Sequence, residues 1–277
     1  MSDYRQRFGG VARLYGDDGL TRLRRAHVAV VGLGGVGSWT SEALARSGLG
    51  ALTLVDLDRV CVTNVNRQLP ALTDTLGRLK VEVMAERARG IQPEIHVHPV
   101  ARFFSAATAD EILGTRYDAV VDAIDRPSLK ALLIASCHAR GLPIITVGGA
   151  GGRRDPTCVR VADLAQTTHD PLLAEVRRRL RREHGFPGGG GPFGVECVCS
   201  TEPLRYPPEP TPAHAGLEAE PPPPAASSSA SERRFGTACF VTGVFGFTAA
   251  ARVVAQVVGS ARLPDAPAQA ERLLDQG

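Results

Sequence analysis

The chain has 277 residues, 43% hydrophobic and 22% charged, enough to pack a core in one large domain or two small ones. A formal charge of +3 does not by itself signal nucleic-acid binding, so any RNA contact has to come from a local patch. The composition is that of an ordinary soluble globular protein.

In chain order, an apolar run at 27–31 reads as a strand and 36–47 as a helix, followed by strand 51–55, helix 76–89 and strand 94–100. Helix 106–113, strand 117–122, helix 128–139 and strand 143–147 continue the alternation. This predicts an α/β fold: a Rossmann-like, doubly wound, mostly parallel sheet covered by helices on both faces. Beyond Gly152 the pattern changes to short β-like pieces at 157–161 and 195–199 and a helix at 171–184, expected to form a C-terminal β/α extension. Residues 203–234 hold nearly half of the chain's 20 prolines and a serine-rich run, and are predicted to be a crossover insert that cannot order itself. A last helix, 236–261, should return to the core before a tail. Residues 1–262 are expected to form one nucleotide-binding domain, with its nucleotide core at 26–152, its extension at 153–202 and 235–262, and a tail at 263–277.

Two features bear on location. The N-terminus has no apolar stretch behind its charges, so the cytoplasm is expected. The apolar run 235–258 is long enough to raise a membrane question, but Arg252, Gln256 and three glycines favour a core or dimer helix. The six cysteines lack disulfide-framework spacing and form no Cys-x-x-Cys pair, as expected for reduced thiols.

The string VAVVGLGGVGS (28–38) runs from a strand into Gly32-x-Gly34-x-x-Gly37 and then a helix. Glycines there permit a tight turn and let backbone N–H groups and the helix N-terminus approach phosphate, with Gly35 in the same loop. Asp56, at the end of the second strand, suits ribose hydroxyls in NAD and ATP enzymes alike. The continuation VDLDRVCVTNVNRQ (55–68) adds Asp58, Asn64, Arg67 and Gln68, and Lys80 follows near the start of a helix. Attack on an α-phosphate needs added positive charge, which Arg67 and Lys80 supply; a dehydrogenase does not explain the cluster. Asp125, at the carboxyl edge of the strand ending at Asp122, is suited either to Mg²⁺ on the triphosphate or to capping the next helix.

With the glycine loop, Asp56-x-Asp58, Asn64-x-x-Arg67-Gln68, Lys80 and Asp125 in these positions, the chain resembles the ubiquitin-activating-like adenylyltransferases, which include activators of sulfur carriers. Within them it resembles the tRNA threonylcarbamoyladenosine dehydratases, on RFGGVARLYG (7–16), VCVTNVNRQ (60–68), VGGAGGRRDPT (147–157), VECVCSTEPLRYP (195–207) and FGTACFVTGVFGF (235–247). The resemblance implies ATP- and Mg²⁺-dependent closure of the threonylcarbamoyl group on an adenosine beside the tRNA anticodon, through an adenylated carboxylate. It also implies a homodimer and an arginine supplied across it. Gly10 stands where sulfur-carrier activators usually carry that arginine, which leaves Arg7 or Arg13, with Arg13 favoured. Ser231 stands where the dehydratases can carry a cysteine, and Cys197, Cys199 and Cys239 remain as thiols that are more often core residues. A cysteine-desulfurase or sulfur-acceptor partner is left open.

On the helix at 171–184, Arg177, Arg178, Arg181 and Arg182 are the tentative contacts to phosphates of the anticodon arm, against the alternative of a solvated face. Activation of a sulfur carrier's C-terminal glycine is the second reading; the missing Cys-x-x-Cys pairs weigh against it. A silent nucleotide-binding scaffold is the third, and the intact Arg67, Lys80 and Asp125 weigh against it.

Overall fold

Residues 3–206 and 235–259 are described by the structure, a computed structural model. The proline-rich insert from 207 onward, Ser231 within it, and the tail after Gly259 lie outside the described residues.

Val28 to Val31 are all buried because their strand sits mid-sheet with helices on either side. The strands are β1 (His27–Val31), β2 (Ala51–Val55), β3 (His96–Val100), β4 (Ala119–Asp122), β5 (Ile144–Val147), β6 (Val159–Asp163) and β7 (Glu196–Ser200). They form one sheet in the order β3-β2-β1-β4-β5-β7-β6, parallel throughout except for β6 against β7. Side chains alternate between two cores. Val28, Val30, Leu52, Leu54 and Val121 face α1 (Asp3–Arg25), α2 (Gly37–Arg46), α3 (Lys80–Ile91) and α7 (Cys239–Val258). Ala29, Val31 and Val120 face α4 (Ala109–Leu113), α5 (Pro127–Ala139) and α6 (Pro171–His184). The sheet is thus doubly wound, as the alternation of elements predicts.

α7 has the length and apolar character to cross a membrane, but its stripe of Val241, Phe245, Ala249 and Val253 is fully buried in the first core. Gly246 lets it lie against α2: a Cβ there would come within 2.7 Å of the Val36 carbonyl oxygen and 2.8 Å of Trp39 Cβ. Thr40 Oγ1 donates to the Gly246 carbonyl across the same contact.

Several element bounds differ from the sequence reading, α4 beginning at Ala109 rather than 106 and β3 at His96 rather than 94. α1 is absent from that reading, because few of its residues are apolar and Gly16, at φ 76°, breaks its periodicity. α3 begins at Lys80 rather than 76, since Gly77 at φ 81° and extended Leu79 precede it. α7 begins at Cys239 rather than 236.

Candidate functional site

Three strand ends meet at the point where the sheet order reverses, between β1 and β4, the place where open α/β sheets hold ligands. Val31 is paired with Val55 on one side and Asp122 on the other. The turn after β1 is fixed by backbone contacts to both neighbours. Gly32 N donates to the Val55 carbonyl at 2.8 Å, and Ala123 N donates to the Val31 carbonyl at 2.9 Å. At Gly32, with φ 93°, a Cβ would meet Ala123 O at 2.8 Å; at Gly37 it would meet Gly32 O at 1.8 Å. These positions tolerate only hydrogen for internal reasons. Above Gly34 the space is open, the nearest atom being Gln68 Nε2 at 3.9 Å, as a phosphate cradle requires.

Asp56 is buried beside this turn, one oxygen accepting from Leu33 N at 2.7 Å and the other from Asp58 N at 2.8 Å. Burial pushes its carboxyl upward and the nearby Lys80 pulls it back down. Lys80 is itself buried and donates to Asp58 Oδ2 at 3.1 Å. A two-way backbone clasp holds that pair together, Lys80 N to the Asp58 carbonyl and Val60 N to the Arg78 carbonyl.

Arg67 and Gln68 follow a short turn in which Asn64 Oδ1 accepts from Cys61 N. Arg67 Nη1 donates to the Thr63 carbonyl at 2.7 Å and to Asn66 Oδ1 at 3.0 Å. Its own carbonyl accepts from Trp39 Nε1 on α2 at 3.1 Å and from Thr242 Oγ1 on α7 at 3.3 Å. Its side chain passes the glycine loop, with Cγ 3.4 Å from where a Gly35 Cβ would be. Gln68 has a buried Oε1 with no hydrogen-bond partner among the described residues, an acceptor that a ligand donor such as a nucleotide hydroxyl would satisfy. The residues therefore fit a nucleotide.

Asp125 is exposed on the turn after β4, and it does not cap α5. The N-cap is Arg126, without a side-chain bond. An exposed carboxylate at the strand edge suits a hard cation held largely by phosphate oxygens and water. Asp122 has a different role. It is fully buried, accepts from Lys130 Nζ at 2.8 Å, Thr146 Oγ1 at 2.7 Å and Ile124 N at 3.1 Å, and so shapes the turn that carries Asp125. Burial raises its carboxyl and Lys130 opposes the rise. The sequence reading missed Lys130 and Thr146, as well as Trp39 and Thr242. They reach the site across the fold, and no local spacing announces them.

The glycine loop, Asp56, Asp58, Asn64, Arg67, Gln68, Lys80 and Asp125 are thus gathered at one end of the sheet. Arg13 is not among them. It stands exposed on α1 and makes no hydrogen bond to the site among the described residues, whereas Arg7 is tied to Asp3 and to the Ile91 carbonyl. On α6 the arginines divide: Arg177 is half-buried against Thr167 Oγ1, Arg178 pairs with Glu175, Arg182 pairs with Glu183, and Arg181 lies over the Phe193 ring. Cys197 and Cys199 are buried core residues, and burial drives the Cys197 thiol well up. Cys239 is exposed at the start of α7.

The tRNA threonylcarbamoyladenosine dehydratase of Haemophilus influenzae is 46% identical over 255 residues, covering 92% of this chain and 94% of that protein. The enzyme of the same name from Escherichia coli is 47% identical over 259 residues, covering 93% and 96%. A crystal structure of the Escherichia coli enzyme in complex with ATP matches with a TM-score of 0.82 at 45% identity, covering 94% of this chain and 97% of that one. Its complex with AMP matches with the same TM-score. The family model described as the ThiF family matches residues 8–273, and the chain belongs to that family.

Proposed function

We propose that this protein is an ATP-dependent tRNA threonylcarbamoyladenosine dehydratase, which closes the threonylcarbamoyl side chain into a ring through an adenylated carboxylate. The observation that carries the reading is the union of a phosphate-cradling glycine loop with two buried cations, Arg67 and Lys80, on a frame shared with the dehydratases. A carboxylate is a poor electrophile at neutral pH. Its oxygen attacks the α-phosphorus, pyrophosphate leaves, and the acyl carbon now bears AMP as a leaving group. The adjacent carbamoyl group attacks that carbon intramolecularly, at the high effective concentration proximity gives, and AMP departs with the oxygen that would otherwise be water.

Arg67 and Lys80 would stabilise the charge that develops on the phosphate oxygens and on pyrophosphate. Asp56 would bind the ribose hydroxyls, its carboxylate already aligned by Leu33 N and Asp58 N. Asp125 would hold Mg²⁺, which supplies further charge neutralisation at the phosphates. Phe240 and Phe247, exposed seven residues apart on one face of α7, support a homodimer, with Arg13 as the arginine lent across it. Arg178, Arg181 and Arg182 on α6 remain exposed, available to tRNA phosphates as a patch partly neutralised by Glu175 and Glu183. We assign the reaction to the cytoplasm, in keeping with free thiols and a tRNA substrate.

The test is incubation with ATP, Mg²⁺ and tRNA carrying the open nucleoside, followed by mass spectrometry of the digested RNA. Loss of one water from that nucleoside, with formation of AMP and pyrophosphate, is the expected result. Pyrophosphate release that instead requires a small glycine-tailed protein would overturn it.

A further inference from the structure

Two open clefts lie on the surface, and the first shares Arg67 with the nucleotide site. One, of about 490 Å³, is lined by Asn66, Arg67, Phe235 and Thr237. The other, of about 370 Å³, is lined by His169, Arg177, Leu204 and Tyr206. Phe235 borders the first and Tyr206 the second, and their rings touch, with centroids 5.2 Å apart and planes tilted by 51°. One aromatic pair therefore stands between a cavity containing an adenylation residue and a cavity containing a half-buried arginine.

The pair is held from below. Gly152 N donates to the Gly236 carbonyl and Arg205 N donates to the Gly152 carbonyl, each at 2.9 Å, so one residue fastens the segments bearing both rings. Gly152 has φ 72°, and a Cβ there would come within 3.0 Å of Phe235 Cδ1. Next to it, buried Arg153 donates to the carbonyls of Gly149, His169 and Glu202, which ties the far rim to the same frame. Tyr206 is nevertheless 70% exposed. A large ring next to a bonded backbone residue, Arg205, with its surface in water and an arginine in the cleft on either side, has the chemistry that unpaired nucleotides use: π-faces stack on the ring and phosphates meet the arginines. Asp170 borders the same cleft as Arg177, and its charge and that of Glu202 are offset in part by other partners. Asp170 is buried, caps α6 through Leu173 N and lies 3.5 Å from Arg153; Glu202 is bonded to the backbone of Arg154 and Asp155.

We infer that Tyr206 and Phe235 form a stacking wall for unpaired bases of the tRNA anticodon loop. The modified adenosine sits on the Phe235 side in the cavity that contains Arg67. The neighbouring nucleotide sits on the Tyr206 side, its phosphate toward Arg177. This rests on the dehydratase reading. It adds which residues read the RNA as single-stranded.

The experiment compares Tyr206→Phe, Tyr206→Leu and Tyr206→Ala in the full-length protein, measuring KM for tRNA and for ATP separately. A 2-aminopurine placed beside the modified adenosine reports stacking through its fluorescence. Tyr206→Ala and Tyr206→Leu should raise the tRNA KM roughly 5- to 150-fold, the loss of one stacked base, and abolish the quench while the ATP KM stays put. Tyr206→Phe should keep the wild-type KM and quench, which separates stacking from the hydroxyl group and from folding. Wild-type tRNA KM and quench in an active Tyr206→Leu would overturn the wall alone. A wild-type protein that adenylates only a glycine-tailed protein would overturn the dehydratase reading and the wall with it.

Discussion

Gly34 and Gly37 lie three residues apart in one loop and have different roles. At Gly37 a methyl group would overlap the Gly32 carbonyl oxygen, and the loop would have to move; at Gly34 it would meet only Gln68 Nε2, 3.9 Å away. Gly37→Ala should therefore lose both ATP binding and several degrees of melting temperature, whereas Gly34→Ala should melt close to wild type and weaken ATP binding alone. Calorimetric melting beside ATP titration separates the two. Lys130 and Asp122 make the converse case of a polar pair with no surface exposure. Lys130→Met leaves a buried carboxylate without its cation and should cost about 3–5 kcal/mol by chemical denaturation, much of it recovered in the double variant with Asp122→Asn. The individual site residues were legible in the sequence where chemistry needs them close together, as with Asp56 to Gln68. Lys130 with Thr146, and Tyr206 with Phe235, were not, because the fold alone makes them neighbours.

Among the elements, the central strands β1, β2 and β4 were legible because burial on both faces leaves a largely apolar run, whereas α1 lacked a sustained apolar stripe. The place of β6, antiparallel at the sheet edge, depends on pairing that no local pattern encodes. α7 shows how an element acts on the site at a distance. Its approach to α2 depends on Gly246, and the same contact brings Thr242 and Trp39 to the Arg67 carbonyl. Gly246→Ala should destabilise the protein by about 1–3 kcal/mol through overpacking and lower adenylation with it. Gly243→Ala, 3.9 Å from its nearest neighbours, should instead be neutral or stabilising by up to about 1 kcal/mol from helix propensity; thermal melting and pyrophosphate release read both. α1 is anchored by Tyr4, whose hydroxyl donates to the Gly48 carbonyl at 2.5 Å and whose pKa burial pushes up from 10.0 to about 12. The folded state holds that proton more tightly than the unfolded chain. Its contribution is complete below pH 10 and is lost as pH rises toward 12, so Tyr4→Phe should show a flatter fall in stability across that window in denaturant titrations.

For the whole molecule, completion of the site by Arg13 is a matter of assembly. If Arg13 acts across a homodimer, Arg13→Ala and Arg67→Ala are each inactive alone, and mixing them under conditions of subunit exchange should restore part of the activity, because one site in each mixed dimer is intact. Steady-state AMP formation measures this, and no recovery on mixing would assign Arg13 elsewhere. The attachment of Arg67 to Thr242 also bears on the order in which the protein becomes competent during synthesis. The glycine loop, Asp56, Lys80 and Asp125 all emerge from the ribosome in the first half of the chain. At that stage α7, which packs on α2 beside the glycine loop and bonds the Arg67 carbonyl, has not been made, so its arrival is the step that completes the frame of the site.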